Sequence, residues 1–60
     1  MNSITIPNIG ERWHWKCEPT NPLVYLGKVG HWHQFAKVDT PKVIWCEVLT
    51  VDLRLLEKEC

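Results

Sequence analysis

The stretch Glu11-Arg12-Trp13-His14-Trp15-Lys16-Cys17 decides the fold class. Read with a period of two, it sets Trp13, Trp15 and Cys17 on one face and Arg12, His14 and Lys16 on the other. Successive side chains of a strand point to opposite faces, so this alternation describes a strand with one side buried and one wet. Gly10 before it and Glu18-Pro19-Thr20-Asn21-Pro22 after it read as turn punctuation.

Outward from that strand the same signals recur. Leu23 to Val29 is rich in β-formers and is interrupted only by Gly27, where a glycine marks a bulge or bend. Gly30 separates this run from His31 to Val38, and Asp39-Thr40-Pro41-Lys42 reads as a tight connector. Val43 to Leu49 is β-branched, aromatic and apolar, which predicts a further strand. The tail differs. Asp52 is an N-cap candidate, and Leu53, Leu55, Leu56, Glu57 and Lys58 form helix readily, with Leu53 and Leu56 on one side and Val51, Leu55 and Lys58 on another. Short links favour an antiparallel meander. The expected architecture is therefore all-β in the main: one domain over residues 1–60, a small SH3-like antiparallel barrel of four to five strands. A short C-terminal helix or 3₁₀ turn closes its open end, and the tryptophans fill its core.

Size and charge narrow the function classes. A chain of 60 residues buries only about 60% of the surface its unfolded form exposes, so it needs a staple, a metal, an oligomer or an aromatic core. Four tryptophans make the aromatic core the first candidate. Seven basic and seven acidic side chains cancel, which removes any general pull on nucleic acid or anionic membrane. No apolar run approaches the roughly 20 residues of a spanning helix, and Met1 to Ile9 lacks the pattern of a signal peptide. A soluble, cytoplasmic protein is expected. Cys17, Cys46 and Cys60 are expected to be reduced, with Cys60 a free thiol at the chain end.

Several segments together carry a family resemblance. Gly10-Glu11-Arg12-Trp13, a turn, a run ending Gly27-Lys28-Val29, a hairpin, Ile44-Trp45-Cys46-Glu47-Val48-Leu49 and Asp52-Leu53-Arg54-Leu55-Leu56 follow one another across most of the chain. This order resembles the small SH3-like proteins encoded by bacteriophages and prophages. The resemblance implies an accessory protein that binds a host protein and inhibits or redirects it. Plasmid-borne type II dihydrofolate reductases are similar in layout, but their catalytic Val-Gln-Ile-Tyr stretch has no counterpart here.

His31-Trp32-His33-Gln34-Phe35 is the segment with the most chemistry. Zinc takes four nitrogen or sulfur ligands, and His14, Cys17, His33 and Cys46 supply both types. Their spacing counts against a metal, because His14 and Cys17 are an odd step apart on a strand and no Cys-x-x-Cys is present. Cys46 with His33 is the minimum for nucleophilic chemistry, but a small buried hydrophobe is the simpler reading of Cys46. Neither a catalytic residue nor a cofactor is expected. A nucleic-acid role for Arg12, Lys16, Lys28, Lys37 and Lys42 near an exposed aromatic is a second alternative. The favoured reading is a non-catalytic module that binds another protein, or a second copy of itself, through His31, Trp32, His33 and Phe35, with His14 and Tyr25 beside them.

Overall fold

The computed structural model describes residues 5–59. Five strands and one 3₁₀ helix follow in the order β1 (Arg12–Trp15), β2 (Glu18–Val29), β3 (Trp32–Lys37), β4 (Thr40–Leu49), η1 (Thr50–Leu55) and β5 (Leu56–Lys58). All pairings are antiparallel, and the sheet order is β4-β3-β2-β1-β5. The last strand thus returns beside the first, with the 3₁₀ turn between β4 and β5 packed against both. This is the SH3-like layout that the strand pattern predicts.

The core is a single layer. Trp13, Leu23, Tyr25, Phe35, Val48, Leu53 and Leu56 form one buried cluster, with Trp15 and Cys46 packed against it. Each strand supplies its core residues at period two: Leu23 and Tyr25 from β2, His33 and Phe35 from β3. Leu53 and Leu56 are buried while Val51 and Leu55 stay exposed, so the tail divides its leucines as the sequence predicts.

Gly27 does mark an irregularity. The β2–β3 register shifts between Tyr25 and Gly27, whose φ of 129° is one that side-chain-bearing residues rarely adopt. Ile9 closes over it, 3.6 Å from where a Cβ would stand.

Several boundaries differ from the sequence reading. Residues Glu18 to Pro22 belong to β2 rather than to a turn, because the chain already reverses at Lys16-Cys17. Trp15 pairs with Glu18 and Trp13 with Leu23, so Pro19 and Pro22 lie where the ladder is interrupted and need no amide donor. Cys17 consequently leaves the tryptophan face and is exposed in the turn. Thr40, Pro41 and Lys42 belong to β4 rather than to a connector. β4 is an edge strand whose register jumps from Thr40 to Ile44, which is where a proline is tolerated. Asp52 does not cap a helix. Leu49 occupies the N-cap of η1 without a side-chain hydrogen bond, and the tail ends as strand. The thiol expected at Cys60 lies outside the described residues.

Phe35 and Leu23 are fully buried at the centre of this one-layer core. A domain of this length holds about 3–9 kcal/mol of net stability, and a buried Phe→Ala change costs about 3–5 kcal/mol. Phe35→Ala is therefore expected to remove most of the cooperative transition in a urea melt followed by tryptophan fluorescence. Thr20→Ala, on exposed backbone, is expected to move the midpoint by no more than about 0.5 kcal/mol.

Candidate functional site

The six residues expected to form one binding patch separate into three groups. His33 is 1% exposed, and Phe35 and Tyr25 are buried with it, so none of the three presents a surface to a partner. Strand parity placed them together correctly, but their face is the core face. His14 sits on β1, near the opposite edge of the sheet, with its Nε2 3.0 Å from Glu57 Oε1 of β5. His31 is in the β2–β3 turn and is exposed, and Trp32 is 45% exposed.

His33 is tied down on both ring nitrogens. Its Nδ1 lies 2.8 Å from the Tyr25 hydroxyl and its Nε2 2.8 Å from Thr50 Oγ1. A neutral imidazole needs one donor and one acceptor, and each hydroxyl can take either role, so both tautomers are satisfied. Burial pushes the His33 pKa below its ordinary value, and Lys28, directly across the ladder, adds repulsion. Burial likewise raises the Tyr25 pKa, which keeps its hydroxyl protonated.

This geometry withdraws His33 from the other two chemistries considered. Among the described residues, no three histidine, cysteine, aspartate or glutamate side chains are grouped to hold a metal ion. His14, Cys17, His33 and Cys46 do not converge: one is held by Glu57, one is in an exposed turn, one is locked in the core, and Cys46 packs against Phe35. Burial pushes the Cys46 thiol up, an effect the Trp15 indole partly offsets, and a thiol so placed is a poor nucleophile. The basic residues are spread out as well. Lys28 and Lys42 lie at opposite ends of β3's neighbours, and Lys58 is committed to Glu11 at 2.9 Å.

What remains at the surface is apolar. Val29, Trp32 and Leu49 form a row across three strands, because Trp32 pairs with Val29 on one side and Leu49 on the other. All three are exposed, on the face turned away from the core. A second cluster lies further along β4, where Val43, Ile44 and Trp45 are exposed in succession. The Lys37 ammonium stands 4.2 Å from the Trp45 ring centroid and orients it through a cation–π contact.

The sequence reading missed Val29, Leu49 and this second cluster. It treated Val43 to Leu49 as a strand without asking which of its faces is covered. The available signal was Pro41-Lys42 just upstream, since proline and lysine mark edge strands. A groove of about 570 Å³ lies elsewhere, between the N-terminal segment and η1–β5, with Ile6, Trp13, Leu53 and Leu56 in its walls and Lys16 and Arg54 at its rim. No helix among the described residues is long and apolar enough to cross a membrane. No protein-family model matches the sequence, no curated protein matches it, and no solved structure matches the fold.

The His33 relay has a pH signature. The folded state holds His33 neutral, while the unfolded chain binds a proton as pH falls through about 6.5. Its contribution is therefore complete above that value and is lost as pH drops toward the lowered folded pKa. Glu11, held down to about 2 chiefly by the Asn8 amide and then by Lys58, loses its contribution only below about 4.5, so the two windows separate. The melting temperature is expected to fall between pH 7.5 and pH 5 in the wild type, and to fall less in His33→Gln. Thermal melts of both proteins at several pH values check this.

Proposed function

We propose that this chain is a non-catalytic cytoplasmic module that binds another protein through the Val29–Trp32–Leu49 row, with His31 at its rim. The observation that carries the reading is Trp32, a large aromatic side chain left 45% exposed on the wet face of a well-packed sheet. It stands between two exposed aliphatic residues. Interfaces concentrate their binding energy in such aromatic anchors, surrounded by apolar contacts that exclude water. Val51, which follows Leu49 at the start of η1, is exposed too and extends the apolar area.

The chemistry that would support catalysis is engaged elsewhere. His33 is saturated by hydroxyls and the Cys46 thiol is pushed up. The resemblance to phage- and prophage-encoded SH3-like proteins favours a host protein as the partner, one that this small product inhibits or redirects.

The test compares wild type with Trp32→Ala against a partner recovered with the wild-type chain. Truncating a central tryptophan is expected to cost about 2 kcal/mol or more, which calorimetry reads as a rise in Kd of roughly thirtyfold. Thr20→Ala serves as the control. Equal affinity of Trp32→Ala and wild type for the partner would remove the row from the interface.

A further inference from the structure

We infer that the groove between the N-terminal segment and η1–β5 binds a small amphipathic anion, an apolar body carrying one carboxylate or phosphate head. The body lies against Ile6, Trp13, Leu53 and Leu56, and the head meets Lys16 and Arg54. The groove holds about 570 Å³, within the roughly 300–1,000 Å³ of sites that take small molecules. None of Val29, Trp32 and Leu49 lines it, so the inference uses a different part of the surface from the Trp32 row and stands independently of it.

The elements that border the groove explain its apolar walls. β5 has three residues and pairs with β1 alone, so the sheet ends there. Trp13 of β1, Leu53 of η1 and Leu56 of β5 belong to the buried cluster, and together they make one wall. Ile6 stands in the other wall and is left 48% exposed. An apolar side chain half in water beside an apolar wall is stabilised by any apolar body that fills the space between them.

The charges of the groove decide the sign of its occupant. Both of its carboxylates are engaged within the chain. Glu11 Oε1 accepts from the Asn8 backbone amide at 2.8 Å and from Trp13 Nε1 at 3.3 Å, and Oε2 accepts from Asn8 Nδ2 at 3.4 Å and from Lys58 Nζ at 2.9 Å. Glu57 Oε1 lies 3.0 Å from His14 Nε2. Lys16 and Arg54, by contrast, are exposed and have no side-chain hydrogen bond or ion pair among the described residues. They come from different elements, yet the Lys16 amide donates to the Leu55 carbonyl at 2.9 Å, which brings the β1–β2 turn against the residue next to Arg54. Positive charge is therefore what the groove has left uncommitted, at one end of an apolar wall. The arginine supplies a planar fork that matches a carboxylate or phosphate, and the lysine adds a point charge. Because the charges of the whole chain cancel, the attraction for an anion is local to this pair.

The experiment titrates the full chain with hexanoate, hexyl phosphate, hexylammonium, hexanol and acetate, and follows the Trp13 indole N–H resonance in proton–nitrogen correlation spectra. Hexanoate or hexyl phosphate is expected to shift that resonance saturably with a millimolar Kd, and the tighter of the two identifies the head group. Hexanol and hexylammonium test the charge and acetate tests the apolar body, and each is expected to bind at least about threefold more weakly. Lys16→Gln and Arg54→Gln are each expected to weaken the anion about threefold, and the double variant about tenfold, whereas Lys42→Gln on β4 leaves its affinity unchanged. Both substituted side chains are exposed, so the fold is expected to persist in every variant, which a thermal melt checks. Absence of a saturable shift with either anion overturns the inference. Hexanol, hexylammonium or acetate binding as tightly as the anions, or unchanged anion affinity in the double variant, overturns it equally. None of these readouts depends on Trp32→Ala, so a failure here leaves the partner-binding test standing on its own.

Discussion

A neutral imidazole at His33, hydrogen-bonded at 2.8 Å on each nitrogen, joins β2 through Tyr25 to η1 through Thr50. It is the buried polar side chain of the core, and the rest of the structure is arranged around its needs. A buried ring left with one unpaired nitrogen would cost about 1–3 kcal/mol, which is a large share of what a domain this small has. A tail position that brings a hydroxyl to Nε2 is favoured by that amount over one that does not. Thr50 opens η1, so the bond ties the start of the tail to β3 just before Leu53 and Leu56 enter the core. Beyond η1 the chain pairs β5 with β1, which completes the order β4-β3-β2-β1-β5.

The same relay explains why the chain's most conspicuous motif is not a reactive one. Histidine beside aromatic residues attracts readings as ligand or base. Here the imidazole is used as a spacer that can both donate and accept, between two hydroxyls on elements that never pair with each other. Phe35 and Tyr25 complete the enclosure, with ring centroids 5.2 Å apart. His14 shows the contrasting case. It spends Nε2 on Glu57 across the β1–β5 ladder and leaves Nδ1 buried without a partner. The fold bears that cost on β1, one strand in from the edge.

Much of the architecture was legible in the sequence because period-two alternation is a local property. Trp13, Leu23, Tyr25 and Phe35 sit where alternation places them, and Gly27 bends β2 as an isolated glycine in a strand should. Two kinds of information were not local. Pro19 and Pro22 look like turn residues, yet they lie in β2, because the interruption that tolerates them is set by how β1 and β2 register, not by β2 itself. In the candidate site, parity separated Trp32 from His33 and Phe35 but could not say which side was inside. That choice was made by Thr50 and Leu53, some twenty residues away in the chain, which cover the His33 face and leave Trp32 wet.

The two edges of the sheet show how a fold of this size distributes what it cannot bury. The single core layer is filled by seven side chains, and only one of the four tryptophans, Trp13, is buried within it. Trp15 packs at its margin, and Trp32 and Trp45 are left outside. A chain with no further use for them would gain solubility by replacing both with polar residues at little structural cost, since neither fills the core. Their positions are also not scattered. Trp32 stands in the middle of a row across three strands, and Trp45 stands on the longer edge strand with the Lys37 ammonium over its ring. Both positions follow from the sheet itself: Trp32 lies on the face that η1 does not cover, and Trp45 lies on the edge strand that pairs on one side alone among the described residues.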